Sequence, residues 1–270
     1  MTPPFDRYLR LLGVDRAVSG LEGLRYLIGR QLARVPFENI SKLLAYERAG
    51  GGSITAFEEY LVRIESLELG GTWYTNNPFF AGLLRHAGYD AGLLGADMSE
   101  PDVHTTIRVR MDGAAYHVDV GFAAPFRDPV RLDRLPFEVR EGANRYVFEP
   151  EVGALLRVNQ FRGDEYVMCY VAHEPPRRRE FFDNVVMRSY SPQATFLQRL
   201  RMSKVFEHRS VDLIDRTLVV HKGTASEVRQ IGSLDEMKNV VAREFAMPRC
   251  PLEPALAVLE RLTGKPFFPV

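Results

Sequence analysis

Cysteine is nearly missing from this chain: Cys169 and Cys250 are the only two thiols in 270 residues. Two thiols so far apart build neither a disulfide framework nor the paired spacing of a zinc site, so no metal is expected. An excess of one charge is missing too. Lys plus Arg and Asp plus Glu each number 35, for a formal net charge of zero. That balance excludes bulk electrostatic attraction to nucleic acid or to an anionic membrane. No window reaches the uninterrupted apolar length that spans a bilayer. The opening Met1-Thr2-Pro3-Pro4-Phe5-Asp6 carries neither a basic nor an apolar leader region, and a cytoplasmic location is expected. What is present, 46% apolar and 26% charged residues, is the composition of an ordinary globular protein. The length allows one large domain or two or three small ones.

Periodicity divides the chain into thirds. Helical patterns run over Phe5–Leu12 and over Gly20–Arg34, the latter with Leu21, Leu24, Leu27, Ile28 and Leu32 on one face. The second stops at Pro36, inside Val35-Pro36-Phe37-Glu38-Asn39, where Glu38 needs a partner if it is buried. Thr55-Ala56-Phe57-Glu58 has the form of a capping box opening a further helix. Asn77 as N-cap with Pro78 at the first helical position predicts another, ending near Gly88. Short strand-like runs then dominate to about Val171, which suggests a barrel or sandwich. In the last third, Ser191-Pro192 predicts a helix to about Leu200. Thr217–His221 and Ser226–Ile231 flank Gly223 as a hairpin, and Ser233-Leu234-Asp235-Glu236 opens a helix to about Phe245. There is no internal repeat.

The stretch Glu68-Leu69-Gly70-Gly71-Thr72-Trp73-Tyr74-Thr75-Asn76-Asn77 holds the one tryptophan. Adjacent glycines allow a sharp turn and close approach of another segment. Such a turn feeding a helix N-terminus favours developing negative charge, although these residues alone favour a plain helix–helix turn with a buried Trp. Farther on, Asp112-Gly113 between alternating runs predicts a two-residue hairpin. It pairs Met111 with Ala114, Val109 with Tyr116 and Ile107 with Val118 on one apolar face. His104 and Asp119 become diagonal neighbours on the other face, with Cα atoms roughly 7–8 Å apart. A His–Asp pair prepares a general base. Arg108 and Arg110 on the same face favour instead a solvated strand surface, and the geometry leaves both readings open.

Together, Val35-Pro36-Phe37-Glu38-Asn39, the Gly-Gly turn, His104 on a strand, Val118-Asp119-Val120-Gly121-Phe122, Phe182-Asp183-Asn184, Ser191-Pro192 and Phe196 resemble the arylamine N-acetyltransferase family, in order and at its approximate spacing. The resemblance implies an α+β fold of three domains: a helical bundle (1–88), an antiparallel β-barrel (89–190) and an α/β lid (191–270). It implies acetyl transfer from acetyl-coenzyme A, or another acyl-coenzyme A as co-substrate, to a small aromatic amine through an acetyl-cysteine in a Cys-His-Asp triad, with no permanently bound cofactor. It assigns His104 and Asp119 to the triad and Phe37, Gly71, Thr72, Tyr74 and Phe122 to the substrate cleft. The family's Arg-Gly-Gly-x-Cys reads Leu69-Gly70-Gly71-Thr72-Trp73 here, so Trp73 stands at the nucleophile's position, and the Gly-Phe-Gly loop reads Gly121-Phe122-Ala123. Losing a triad nucleophile costs on the order of 10⁶ in kcat, about 8 kcal/mol, whereas a His base contributes ~10²–10⁴. Double-displacement transfer is therefore expected to be absent or vestigial. Direct transfer with His104 as base, or a non-catalytic protein holding an aromatic ligand, are the functions that follow. Cys169, sharing a strand face with Val167 and Val171, reads as core.

Overall fold

The computed structural model describes residues 4–268. The first third runs α1 (Pro4–Leu11), α2 (Gly20–Arg34), β1 (Phe37–Glu38), α3 (Ile40–Ala49), α4 (Phe57–Leu67) and α5 (Trp73–His86). The periodic helices fall where the apolar stripes put them. The termini differ. Ala56, not Thr55, precedes α4, and the Thr55 hydroxyl accepts from Arg63 Nη1 instead of capping. Helix α5 begins at Trp73 behind Thr72, and Pro78 lies inside it. Asn77 is no cap, because its side chain is engaged across the fold. Two elements escape periodicity: β1, and α3, which the Pro36 stop obscures.

An antiparallel sheet of eight strands follows: β2 (Asp90–Asp97), β3 (His104–Met111), β4 (Ala114–Val118), β5 (Val130–Arg131), β6 (Phe137–Glu141), β7 (Asn144–Glu149), β8 (Leu156–Arg162) and β9 (Glu165–His173). The order is β5-β4-β3-β2-β9-β8-β7-β6, a nearly closed barrel. The Asp112-Gly113 hairpin has the predicted register, with Ile107 opposite Val118, Val109 opposite Tyr116 and Met111 opposite Ala114. Both turn residues have positive φ, as a type I′ turn requires. The face bearing Ile107, Val109, Val118 and Val120 packs on α1, α2, α4 and α5. The opposite face near His104 is not solvated. It is barrel interior, with His104, Thr106 and His117 buried and Arg108 buried beside Glu174; only Arg110 at the strand end is exposed.

The remaining elements are α6 (Asp183–Arg188), α7 (Thr195–Gln198), β10 (Arg201–Val205), β11 (Ser210–Ile214), β12 (Thr217–Lys222), β13 (Ala225–Gln230), α8 (Leu234–Glu244) and α9 (Leu252–Thr263). The helix expected from Ser191 to Leu200 is only the four residues of α7, because the chain turns into β10. Ser233 caps α8, its hydroxyl accepting from Glu236 N at 3.2 Å, and Glu236 reaches back to Gly232 N at 2.8 Å. A second sheet runs β1-β10-β11-β12-β13, so two residues of the helical third form its edge. The core beneath it mixes Ile40, Leu43 and Leu69 with Met202, Leu213, Val241 and Leu256.

Candidate functional site

The first turn of α5 meets the end of the β3–β4 hairpin because glycine allows it. A Cβ on Gly121 would stand 2.8 Å from Trp73 Cα and 2.7 Å from Asn77 Nδ2. Gly121 therefore makes room for the helix start. On the other side, a Cβ on Gly70 would lie 2.2 Å from Pro36 O, and Glu38 N donates to Gly71 O at 2.9 Å. The adjacent glycines thus admit the 35–38 backbone.

That segment explains its own composition. Pro36 O accepts from Asn76 Nδ2 at 3.2 Å. Phe37 packs on Trp73 with ring centroids 5.8 Å apart. Asn39 Nδ2 donates to Phe196 O at 2.8 Å and to Arg199 O at 2.6 Å, while its Oδ1 accepts from Arg201 N at 2.8 Å. Glu38 is fully buried, its Oε2 accepts from Ser41 N at 2.8 Å and its Oε1 has no partner. Burial pushes its carboxyl up.

His104 and Asp119 are completely buried, and His104 Nε2 donates to Asp119 Oδ2 at 2.7 Å. Asp119 Oδ1 accepts from Asn77 Nδ2 at 2.8 Å and from Gly121 N at 2.9 Å. Asn77 Nδ2 also donates to Thr105 O at 2.5 Å, and its Oδ1 accepts from Val120 N at 2.9 Å. Burial pushes the Asp119 carboxyl up, but the His104 charge and the hydrogen bonds of His104 and Asn77 outweigh it and hold the group below the ordinary aspartate value. With Nε2 committed to Asp119, the remaining ring nitrogen is Nδ1, and it has no protein partner. Beneath the pair, Tyr170 lies 4.7 Å from the His104 ring, and its hydroxyl meets His117 Nε2 at 2.8 Å. Thr106 Oγ1 gives its proton to Val118 O, so His117 Nδ1 donates to Thr106 and Nε2 accepts from Tyr170. Burial lowers His117 to about 4, consistent with that neutral form.

Trp73 stands over this assembly. Its ring is 5.2 Å from His104, 5.3 Å from Phe196 and 5.8 Å from Tyr74. Its indole N–H finds no acceptor. Asn76 Oδ1 takes the Tyr60 hydroxyl and Asn77 Oδ1 takes Val120 N, while His104 Nδ1 and the indole N–H both stay unpartnered and do not meet. Trp73 and Tyr74 form one end of a cleft of about 720 Å³ whose walls include Met98, Met168, Arg188 and Phe196. That volume is in the range of small-molecule sites. Cys169 also lines it, half-buried, with Sγ 3.2 Å from Arg157 Nη1. The core expectation for Cys169 fails because Tyr170 and Ala172 take the inward face of β9, leaving Val167 and Cys169 outward.

Of the other residues singled out, Phe37 is buried behind Trp73. Phe122 lies inside the barrel 5.4 Å from His104, and Gly71 and Thr72 line a separate small cavity together with Tyr74. Ala123 takes a left-handed φ of 61°, a conformation glycine adopts freely. Sequence reasoning missed Tyr170 and His117. Inward alternation along β4 and β9 was the available signal, once the barrel interior was known to be the polar side.

A buried His–Asp pair with one unpartnered imidazole nitrogen is an arrangement suited to proton transfer; Trp73, not His104, lines the cleft, and its ring lies 5.2 Å from the imidazole. A sequence model of the N-acetyltransferase family matches residues 20–248, and the chain belongs to that family. It is 24% identical over 254 residues to the arylamine N-acetyltransferase of Mycolicibacterium smegmatis, covering 89% of this chain and 90% of the relative. The solved arylamine N-acetyltransferase of Nocardia farcinica superposes with a TM-score of 0.80 at 23% identity, covering 98% of this chain and 96% of that one. That of Mycobacterium marinum in complex with CoA gives 0.78 at 20% identity, covering 96% and 98%. The α+β arylamine N-acetyltransferase fold is therefore the fold of this chain. Among the described residues, no helix is long and apolar enough to cross a membrane.

Proposed function

We propose that this is an arylamine N-acetyltransferase-like protein without the family's nucleophile, in which Trp73 takes the place of the cysteine. On this reading an acyl-coenzyme A and a small aromatic amine share the cleft, and any transfer is direct. His104 Nδ1 accepts the amine proton as nitrogen attacks the thioester carbonyl; the carbon–sulfur bond breaks, the imidazolium returns that proton to the leaving sulfur, and the coenzyme departs as its thiol. Asp119 keeps Nε2–H donated away from the substrate and stabilises the imidazolium that forms. The single observation that carries the reading is the position of Trp73, at the first turn of α5 and 5.2 Å from the ring of a buried His–Asp pair. An indole cannot form an acyl-enzyme. Division into 1–88, 89–190 and 191–270 and a cytoplasmic location belong to the same proposal.

The second reading, a non-catalytic protein holding an aromatic ligand in the former active site, is favoured by the four aromatic and imidazole rings around Trp73. Acyl-coenzyme A turnover with aromatic amines, in the natural chain and in Trp73→Cys, separates the two. Direct transfer predicts slow turnover with no change in intact mass, and faster turnover with a mass increment in Trp73→Cys. Absence of turnover in the natural chain selects the binding protein, and a stoichiometric acetyl adduct on it, at Cys169 for example, refutes both.

A further inference from the structure

Behind the Gly70-Gly71 turn lies a second cavity, of about 40 Å³, that the acyl-transfer chemistry does not use. Its walls carry Lys42, Arg63 and Arg179 against one carboxylate, Asp183. Lys42 is only 6% exposed. Its Nζ donates to Ser189 Oγ at 2.5 Å and lies 4.2 Å above the Tyr190 ring, and among the described residues no carboxylate pairs with it. Arg63 is held by Glu59 at 2.8 Å and by Thr55 Oγ1 at 3.3 Å, and Arg179 donates to Thr55 O at 2.8 Å. Glu38, on the adjoining β1, turns its carboxylate to Ser41 N. The Ser53 hydroxyl, also on the wall, is buried without a partner. A buried ammonium carrying three donors with one protein acceptor, an orphaned hydroxyl and a cationic wall are groups that an anion would satisfy together.

We propose that this cavity is a binding site for a small planar oxyanion of the acetate or bicarbonate class, held by Lys42 with the Ser53 hydroxyl. The size argument sets the class. One water occupies ~10–15 Å³ of such space, so about 40 Å³ favours an anion of few heavy atoms. The site is independent of Trp73, and it stands or falls separately from the acyl-transfer reading.

Burial lowers the Lys42 ammonium to about 7 when the site holds no charge. An anion restores the charged form, so binding takes up a proton above pH 7. Arg63, Arg179 and Asp183 are the other charged groups on the wall, and Glu38, whose carboxyl burial pushes up, adjoins it; Lys42→Met isolates the part of the pH dependence that belongs to the ammonium. The test is calorimetric titration with sodium acetate, at pH 6 and pH 8.5, in two buffers of unlike ionisation enthalpy. The expected result is saturable binding, roughly thirtyfold weaker at pH 8.5, with close to one proton taken up at the higher pH. Lys42→Met removes both the binding and the proton uptake. Ser53→Ala, which leaves every charge in place, weakens acetate several-fold and keeps the proton uptake. Absence of saturable acetate binding at pH 6, equal affinity in Lys42→Met, or tighter binding of inorganic phosphate than of acetate would overturn the assignment.

Discussion

Truncating Trp73 to alanine asks directly whether the indole plugs the cleft or forms a platform within it. Full burial of a tryptophan makes Trp→Ala cost ~3–5 kcal/mol. Trp73 is half-buried, with its ring packed on Phe37, Phe196, Tyr74 and His104, so about 2–3 kcal/mol of unfolding free energy should be lost. The unpartnered indole N–H offsets part of this, since its removal relieves a buried donor that gains nothing from the fold. The hole left is continuous with the 720 Å³ cleft and walled by aromatic rings. A small arylamine entering it regains the lost contacts without displacing protein, and millimolar affinity or better, about −4 kcal/mol, is expected. Urea denaturation gives the stability change, and calorimetric titration of both proteins with one arylamine gives the binding change. Tighter binding to Trp73→Ala supports the plug. Binding weaker by roughly 0.5–1.5 kcal/mol, the worth of one aromatic pair, would refute it and make Trp73 a stacking surface.

Two further outcomes follow from the buried polar groups. Asn77→Ala removes one acceptor and a shared donor that serve Val120 N, Thr105 O and Asp119 Oδ1; leaving these buried groups unpaired should cost about 3–5 kcal/mol, and a loss under 1 kcal/mol by denaturant titration would show that Asn77 does not hold the pair. His117 titrates at about 4 in the fold against ~6.5 when unfolded. Its folded value is depressed, so the unfolded chain binds the extra proton first, and stability falls as pH drops from 6.5 to 4, by roughly 3 kcal/mol; in His117→Gln that part of the pH slope should vanish.

What could be read from the sequence divides by physical type. The His104–Asp119 encounter was legible because a two-residue turn fixes register, and register fixes which side chains share a face. Which face was inside was not legible. His104, Thr106 and Arg108 look like a solvated edge until eight strands close around them, a consequence of long-range pairing that no local pattern encodes. The start of α5 was misjudged for a related reason. Asn77-Pro78 is a good local helix opening, but the fold spends the Asn77 amide on Asp119, 42 residues away. Likewise α7 stops after one turn because Asn39 draws the carbonyls of Phe196 and Arg199 into the 35–39 segment. Cys169 was misplaced because both faces of β9 carry apolar residues, and alternation alone could not choose between them.

The two-residue strand β1 sets the order in which the site can be assembled. Asn39 meets Phe196 across 157 residues, and Phe37 pairs with Ser203. Closing a loop of that length costs about 4–5 kcal/mol in chain entropy, and such contacts form late in folding. During synthesis, the helical third and the barrel can therefore pack, and His104 can meet Asp119, while Trp73 still lacks the Phe196 side of its cage. A nascent chain halted before residue 196 would carry the His104–Asp119 hydrogen bond while the aromatic cage above it is still open. The last wall of the cleft arrives only with Phe196, 157 residues after the Asn39 that holds it.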